Sequence, residues 1–122
     1  MKVILHSFGF KHGYPEAEVV WDVRFLPNPY WVEELRSSSG LEQPVADYVL
    51  NNPTGRDFLE HLTPLLSFLL ESHRAAGRRE ITLAVGCTGG RHRSVAVTDY
   101  LQKILARSEF ELNVYHRDIT RE

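Results

Sequence analysis

The sequence predicts an α/β layered domain with a mostly parallel sheet and flanking helices. Three observations predict it. The run "EITLAVG" at 80–86 is almost continuously apolar and of strand length, as suits a strand covered on both faces of a parallel sheet. Runs rich in β-branched and aromatic residues, "KVILHSF" and "EVVWDVRFL", precede it, and "FELNVYHR" follows. Segments of helical period fill the rest, giving the order β, β, several helices, β, α, β. That pattern does not contain the strand order.

In chain order, "KVILHSF" is the first strand, and the glycines and proline of "GFKHGYPEA" make the loop after it. "EVVWDVRFL" is the second strand. "PNPYW" is a rigid turn, since each proline fixes its own φ and drives the preceding residue to extended geometry. A short helix is expected within "YWVEELRSSSG", and a second beginning at Pro44, with Val45, Tyr48 and Val49 on its apolar face. In the longer helix that follows, Phe58, Leu62, Leu65, Leu66 and Leu69 share one face. Pro64 either kinks that helix or stands in the first turn of a new one capped by Thr63, and Gly77 stops it. After "EITLAVG", the segment "VAVTDYLQKIL" is a helix turning Val97, Tyr100, Leu101, Ile104 and Leu105 inward.

A chain of 122 residues fits one domain, here 1–122. Net charge is −2, from 14 basic and 16 acidic residues, which argues against nucleic-acid binding by bulk charge. A single cysteine forms no internal disulfide and points to a reducing, cytoplasmic setting. The apolar start is too short for a signal peptide, and no run reaches the length of a membrane span. No cofactor is called for, and no cluster has metal-ligand spacing.

The chemistry gathers in "GCTGGRHRS", residues 86–94. A buried strand ending in a glycine-rich turn that starts a helix makes an anion site. The first amides of the helix have no intrahelical partner and lie at the positive end of its dipole. Gly89 and Gly90 let the backbone approach an anion closely, and Arg91 and Arg93 add charge-assisted bonds. Thr88 belongs to the same turn, Ser94 could donate its hydroxyl or cap the helix, and His92 could bond a phosphate or a sugar hydroxyl. Against this stands the plainer reading of a tight turn with solvated arginines and Cys87 as a small core residue. A Walker A loop is absent. A rival chemistry also fits: Cys87, five residues, then Arg93 and Ser94 form the C-x5-R-[ST] pattern of cysteine-dependent phosphatases, with Cys87 as nucleophile and Arg93 holding the phosphoryl oxygens. Gly86 stands where that signature has histidine, and the general-acid candidates, Asp22 and Asp57, have no recognisable setting.

Other residues are candidates for closing the site. Lys11 and His12 lie in a loop able to reach the same end of the sheet. Asp22 and Arg24 share a strand face, as an ion pair with a ligand contact for Arg24. Asn28 and Tyr30 sit in the proline-stiffened loop, where the alternative is a turn that packs Trp31 onto the core. Arg36, His116 and Arg117 complete the set; His6, His61 and His73 are structural or exposed.

Five blocks in order, "SFGFKHG" (7–13), "DVRFLPNPYW" (22–31), "LR…SGL…PV" (35–45), "GCTGGRHRSV" (86–95) and "HR" (116–117), make the chain resemble the C-terminal domain of the RNase adapter protein RapZ over nearly its whole length. The resemblance implies a fold like a phosphofructokinase subdomain. It implies a ligand such as glucosamine-6-phosphate or UDP-N-acetylglucosamine, and a regulatory role in bacterial amino-sugar metabolism. It further implies small RNA and a ribonuclease, RNase E, as partners, and a P-loop domain, here expected from a separate protein. Three departures stand out. The P-loop domain is not in this sequence, Tyr30 replaces the histidine of the sugar-phosphate-binding branch, and "HRDITRE" replaces a strongly basic tail. RNA affinity is therefore expected to be weak, unless a homo-oligomer pools Arg74, Arg78 and Arg79 from several copies.

Overall fold

The computed structural model describes residues 1–121. Four parallel strands form one sheet in the order β2-β3-β1-β4, with β1 at Lys2–Gly9, β2 at Val19–Asp22, β3 at Glu80–Cys87 and β4 at Glu111–His116. The helices are α1 (Glu33–Arg36), α2 (Gln43–Leu50), α3 (Pro53–Ala75) and α4 (Arg93–Leu105). The expected α/β layering is present, and the pairing is parallel throughout.

Alternation along the strands decides where the core lies. Val3 and Leu5 of β1 and Ile81, Leu83, Val85 and Cys87 of β3 point to one face. There they join Val45 and Val49 of α2, Leu62, Leu66 and Leu70 of α3, and Val97, Leu101 and Leu105 of α4. The opposite face is closed differently from the expected cover on both sides. Small residues such as Ala84 lie there, Phe8 packs edge-on to Phe10, and His6 stacks on Tyr115 at 4.7 Å.

Several elements differ from the sequence-based expectations. The second strand stops at Asp22, because Val23–Leu26 closes a turn, Leu26 N–H to Val23 O, ahead of Pro27. Helix α3 is continuous through Pro64. Its buried face is Gly55, Leu59, Leu62, Leu66 and Leu70, so Leu65 is exposed rather than inward, as is Tyr48 of α2. The leucine-rich stretch offers two overlapping apolar stripes, and packing against α2 and the sheet selects one. In α4, Val97, Leu101 and Leu105 face the core, while Tyr100 reaches solvent. Gly77, at φ +88, follows the end of α3 as expected. Among the described residues no helix is long and apolar enough to cross a membrane.

Candidate functional site

Residues 88–92 link the carboxyl end of β3 to the first turn of α4 and fold over the carboxyl end of β1. Contact between the two is backbone to backbone: a Cβ on Gly9 would lie 2.4 Å from the Gly89 carbonyl carbon, and one on Gly90 would lie 2.6 Å from Gly9 N. Gly90 also holds φ +81, a conformation that costs other residues strain. Buried Asp118 clamps this junction. Its Oδ2 accepts from Gly9 N–H at 2.7 Å and from Arg117, while Oδ1 faces Arg121 at 3.3 Å. Burial pushes the Asp118 carboxyl up, but the bonds from Arg117 and Gly9 outweigh it and hold it below the ordinary carboxylate range.

The loop opens into a pocket of about 660 Å³. Five basic residues line it, Lys11, Arg36, Arg91, Arg93 and Arg121, and among the described residues no acidic one does. The guanidinium groups are held mainly by carbonyl oxygens. Arg93 Nη1 donates to Arg24 O at 2.6 Å, Arg91 Nε to Ile119 O at 3.0 Å, and Arg36 Nε to Tyr30 O at 2.7 Å. Arg93 is only 6% exposed. Its Nε has no acceptor among the described residues, and its Nη2 reaches Thr88 Oγ1 only at 3.5 Å. A buried cation with donors to spare on a pocket wall is costly unless an anion completes it. The N–H groups of Gly89, Gly90, Arg91 and His92 likewise donate to nothing among the described residues.

Of the residues expected to bind ligand, the structure brings Lys11, Asn28, Tyr30, Arg36, Thr88, Gly89, Arg91, His92 and Arg93 into this one pocket. Three stand outside its lining. Gly90 faces Gly9. Ser94 is buried and does not cap α4; its hydroxyl oxygen accepts from Cys87 Sγ at 3.1 Å. Arg24 turns away, paired with Asp22 at 2.6 Å and lying over the Phe10 ring; what it offers the site is its carbonyl, which seats Arg93. Arg117 spans Gly9 O, Gly13 O and Asp118, and His116 bonds Ser7 Oγ, so both brace the junction from outside the pocket. His92 donates from Nε2 to Arg36 O at 3.0 Å. Burial lowers its pKa more than that carbonyl raises it, so the ring is neutral at pH 7.

The pocket also includes Trp31, Ser37 and Arg121, which sequence reasoning did not place there. Trp31 is not packed on the core but 75% exposed at the rim. Arg121 carries no local sequence signal; the turn after β4 delivers it. Cys87 ends β3 at 2% exposure, a core residue that also lines the pocket floor. Two observations weigh against a phosphatase role for it. A side chain at position 86 would meet Phe8 Cζ at 2.4 Å, so the signature histidine has no room. The side-chain bond from Arg24 holds Asp22 below the ordinary carboxylate range, leaving it ionised and unsuited to donate a proton.

A family model of the RapZ C-terminal domain matches residues 1–120. The chain belongs to this family. Relatives of the RapZ family domain include a nucleotide-binding protein of Corynebacterium aurimucosum, 48% identical over 122 residues, covering 98% of this chain and 42% of the relative. One from Lawsonia intracellularis is 51% identical over 118 residues, covering 96% of this chain and 37% of the relative. One from Mycobacterium ulcerans is 50% identical over 122 residues, covering 98% and 40%. The chain thus spans about 40% of the length of these relatives.

Proposed function

We propose that residues 1–122 act as a non-catalytic sensor unit that binds a phosphorylated amino sugar, of the glucosamine-6-phosphate or UDP-N-acetylglucosamine kind, with its phosphate at the 88–93 loop. The observation that carries this reading is the charge of the pocket. It gathers five of the chain's fourteen basic residues and, among the described residues, no acidic one. Backbone carbonyls orient Arg36, Arg91 and Arg93 without neutralising them, and the first amides of α4 add their dipole. The relatives' name, nucleotide-binding, describes much longer proteins and enters here only as compatible with a phosphate-bearing ligand. The RNA-adapter reading finds less support. Arg74 pairs with Glu71 and Glu109, and Arg78 with Glu18, so these two arginines offer little uncompensated charge to a nucleic-acid backbone.

The test is calorimetry with glucosamine-6-phosphate. Arg93→Ala should weaken binding by one to two decades, as expected for a charge-assisted contact of about 1.5–3 kcal/mol. Because Arg93 also ties down the Arg24 and Leu26 carbonyls, exposed Lys11→Ala serves as a second variant, with a smaller loss and an intact fold. Unchanged affinity in folded Arg93→Ala, or no binding by the unmutated chain, sinks the assignment.

A further inference from the structure

This inference rests on the anion-site reading and concerns the other half of the ligand. Trp31 and Tyr30, 75% and 50% exposed, form the aromatic part of the pocket wall. Their rings meet edge to face at 5.3 Å. An exposed indole is ordinarily mobile, but this one stands on a fixed backbone. Pro29 begins a 3-10 turn, Asn28 Oδ1 accepts from Tyr30 N–H at 3.1 Å, and Val32 N–H donates to Pro29 O at 2.9 Å. Arg36 then locks the turn, bonding Tyr30 O at 2.7 Å while its guanidinium lies 4.9 Å from the centre of the Tyr30 ring. The backbone part of the conformational cost of presenting Trp31 is thus met in the fold, before any ligand arrives.

We propose that Trp31 is a stacking platform that makes the site selective for phosphates carrying a sugar ring. With phosphate at the loop, the apolar C–H face of a pyranose rests on the indole, and its hydroxyls turn toward the polar lining, Asn28 and Ser37 among it. The volume, about 660 Å³, exceeds what bare phosphate requires, and the aromatic wall gives the extra space a use.

The experiment compares two probes, inorganic phosphate and glucosamine-6-phosphate, in a Trp21→Phe background that leaves Trp31 as the only indole. Glucosamine-6-phosphate should shift Trp31 fluorescence, and inorganic phosphate should not. Trp31→Ala should cost glucosamine-6-phosphate about tenfold in affinity and leave inorganic phosphate unchanged, while Trp31→Phe restores most of the loss. Equal losses for both probes, or no loss for either, would overturn the platform. So would a Trp31-dependent gain for uridine monophosphate that glucosamine-6-phosphate lacks, because the stacked ring would then be a base. Failure of the two inferences is separable. If the unmutated chain binds neither probe, the anion site falls and Trp31 with it. If it binds both equally and Arg93→Ala weakens both, only the platform falls.

Discussion

At the amino ends of the strands, Arg78 meets Glu18 at 3.3 Å, Arg74 lies 2.5 Å from Glu71 and 3.6 Å from Glu109, and Lys2 lies 3.9 Å from Glu80. At the carboxyl ends, Arg36, Arg91 and Arg93 bond carbonyl oxygens of Tyr30, Ile119 and Arg24 instead, and among the described residues Arg121 is the one pocket cation that faces a carboxylate, that of Asp118. A carboxylate partner cancels a cation's field; a carbonyl partner fixes its direction and leaves most of its charge. Both ends carry basic residues, yet three at the carboxyl end are held by carbonyls and, among the described residues, pair with no carboxylate. Net charge, −2 for the chain, conceals this segregation because, among the described residues, no acid lines the pocket.

The largest way to break the pocket end is through its backbone. Gly90→Ala would put a Cβ 2.6 Å from Gly9 N and 2.9 Å from Asp118 Cβ, at φ +81. Strain and overlap together should destabilise by about 2–4 kcal/mol and abolish phosphate binding. Gly13→Ala sharpens the comparison, since its φ is +102 but nothing lies within 4 Å of the added Cβ. It should cost about 1 kcal/mol from backbone strain alone. Urea unfolding of the two variants measures the difference, and equal losses would mean that the close approach of the loop to β1 contributes nothing.

Acid should weaken the protein next. Burial lowers the pKa of His6, aided by the nearby Arg117 charge, and burial also lowers those of His92 and His116. Each is held neutral in the fold and takes a proton more readily when unfolded. Their stabilisation is fully present above the unfolded value of about 6.5 and is lost as pH falls through the lower folded values. Asp118, also depressed, contributes above its unfolded value of about 3.9 and loses that contribution as pH falls further. Melting temperature followed from pH 8 to pH 3 should be level, then fall in two stages. A rise between pH 7 and pH 5 would contradict the buried neutral histidines.

The smallest effect belongs to the amino end. Arg78→Ala removes an exposed pair, which is worth about 0–1 kcal/mol and is screened by salt. Glucosamine-6-phosphate affinity should be unchanged in calorimetry. A loss as large as that of Arg93→Ala would erase the distinction between the two ends.

What the sequence by itself determined was local. The continuous apolar run of β3, the strand lengths and the glycine stop at Gly77 follow from side-chain period and backbone permissiveness, which neighbouring residues settle among themselves. The strand end, glycine-rich turn and helix start of residues 86–94 were readable for the same reason: they are contiguous in the chain. Tertiary structure decided the rest. It chose Leu59 and Leu70 over Leu65 and Leu69 as the inward stripe of α3, because both stripes are apolar and only packing distinguishes them. It turned Arg24 to Asp22 and swung Trp31 outward, since a turn's direction depends on what Arg36, six residues from Tyr30, grasps. Asp118 was joined to Gly9 across 109 residues, and Arg121 was carried into the pocket with it. Such pairings are set by how parallel strands β1 and β4 lie side by side, and no period along the chain encodes that.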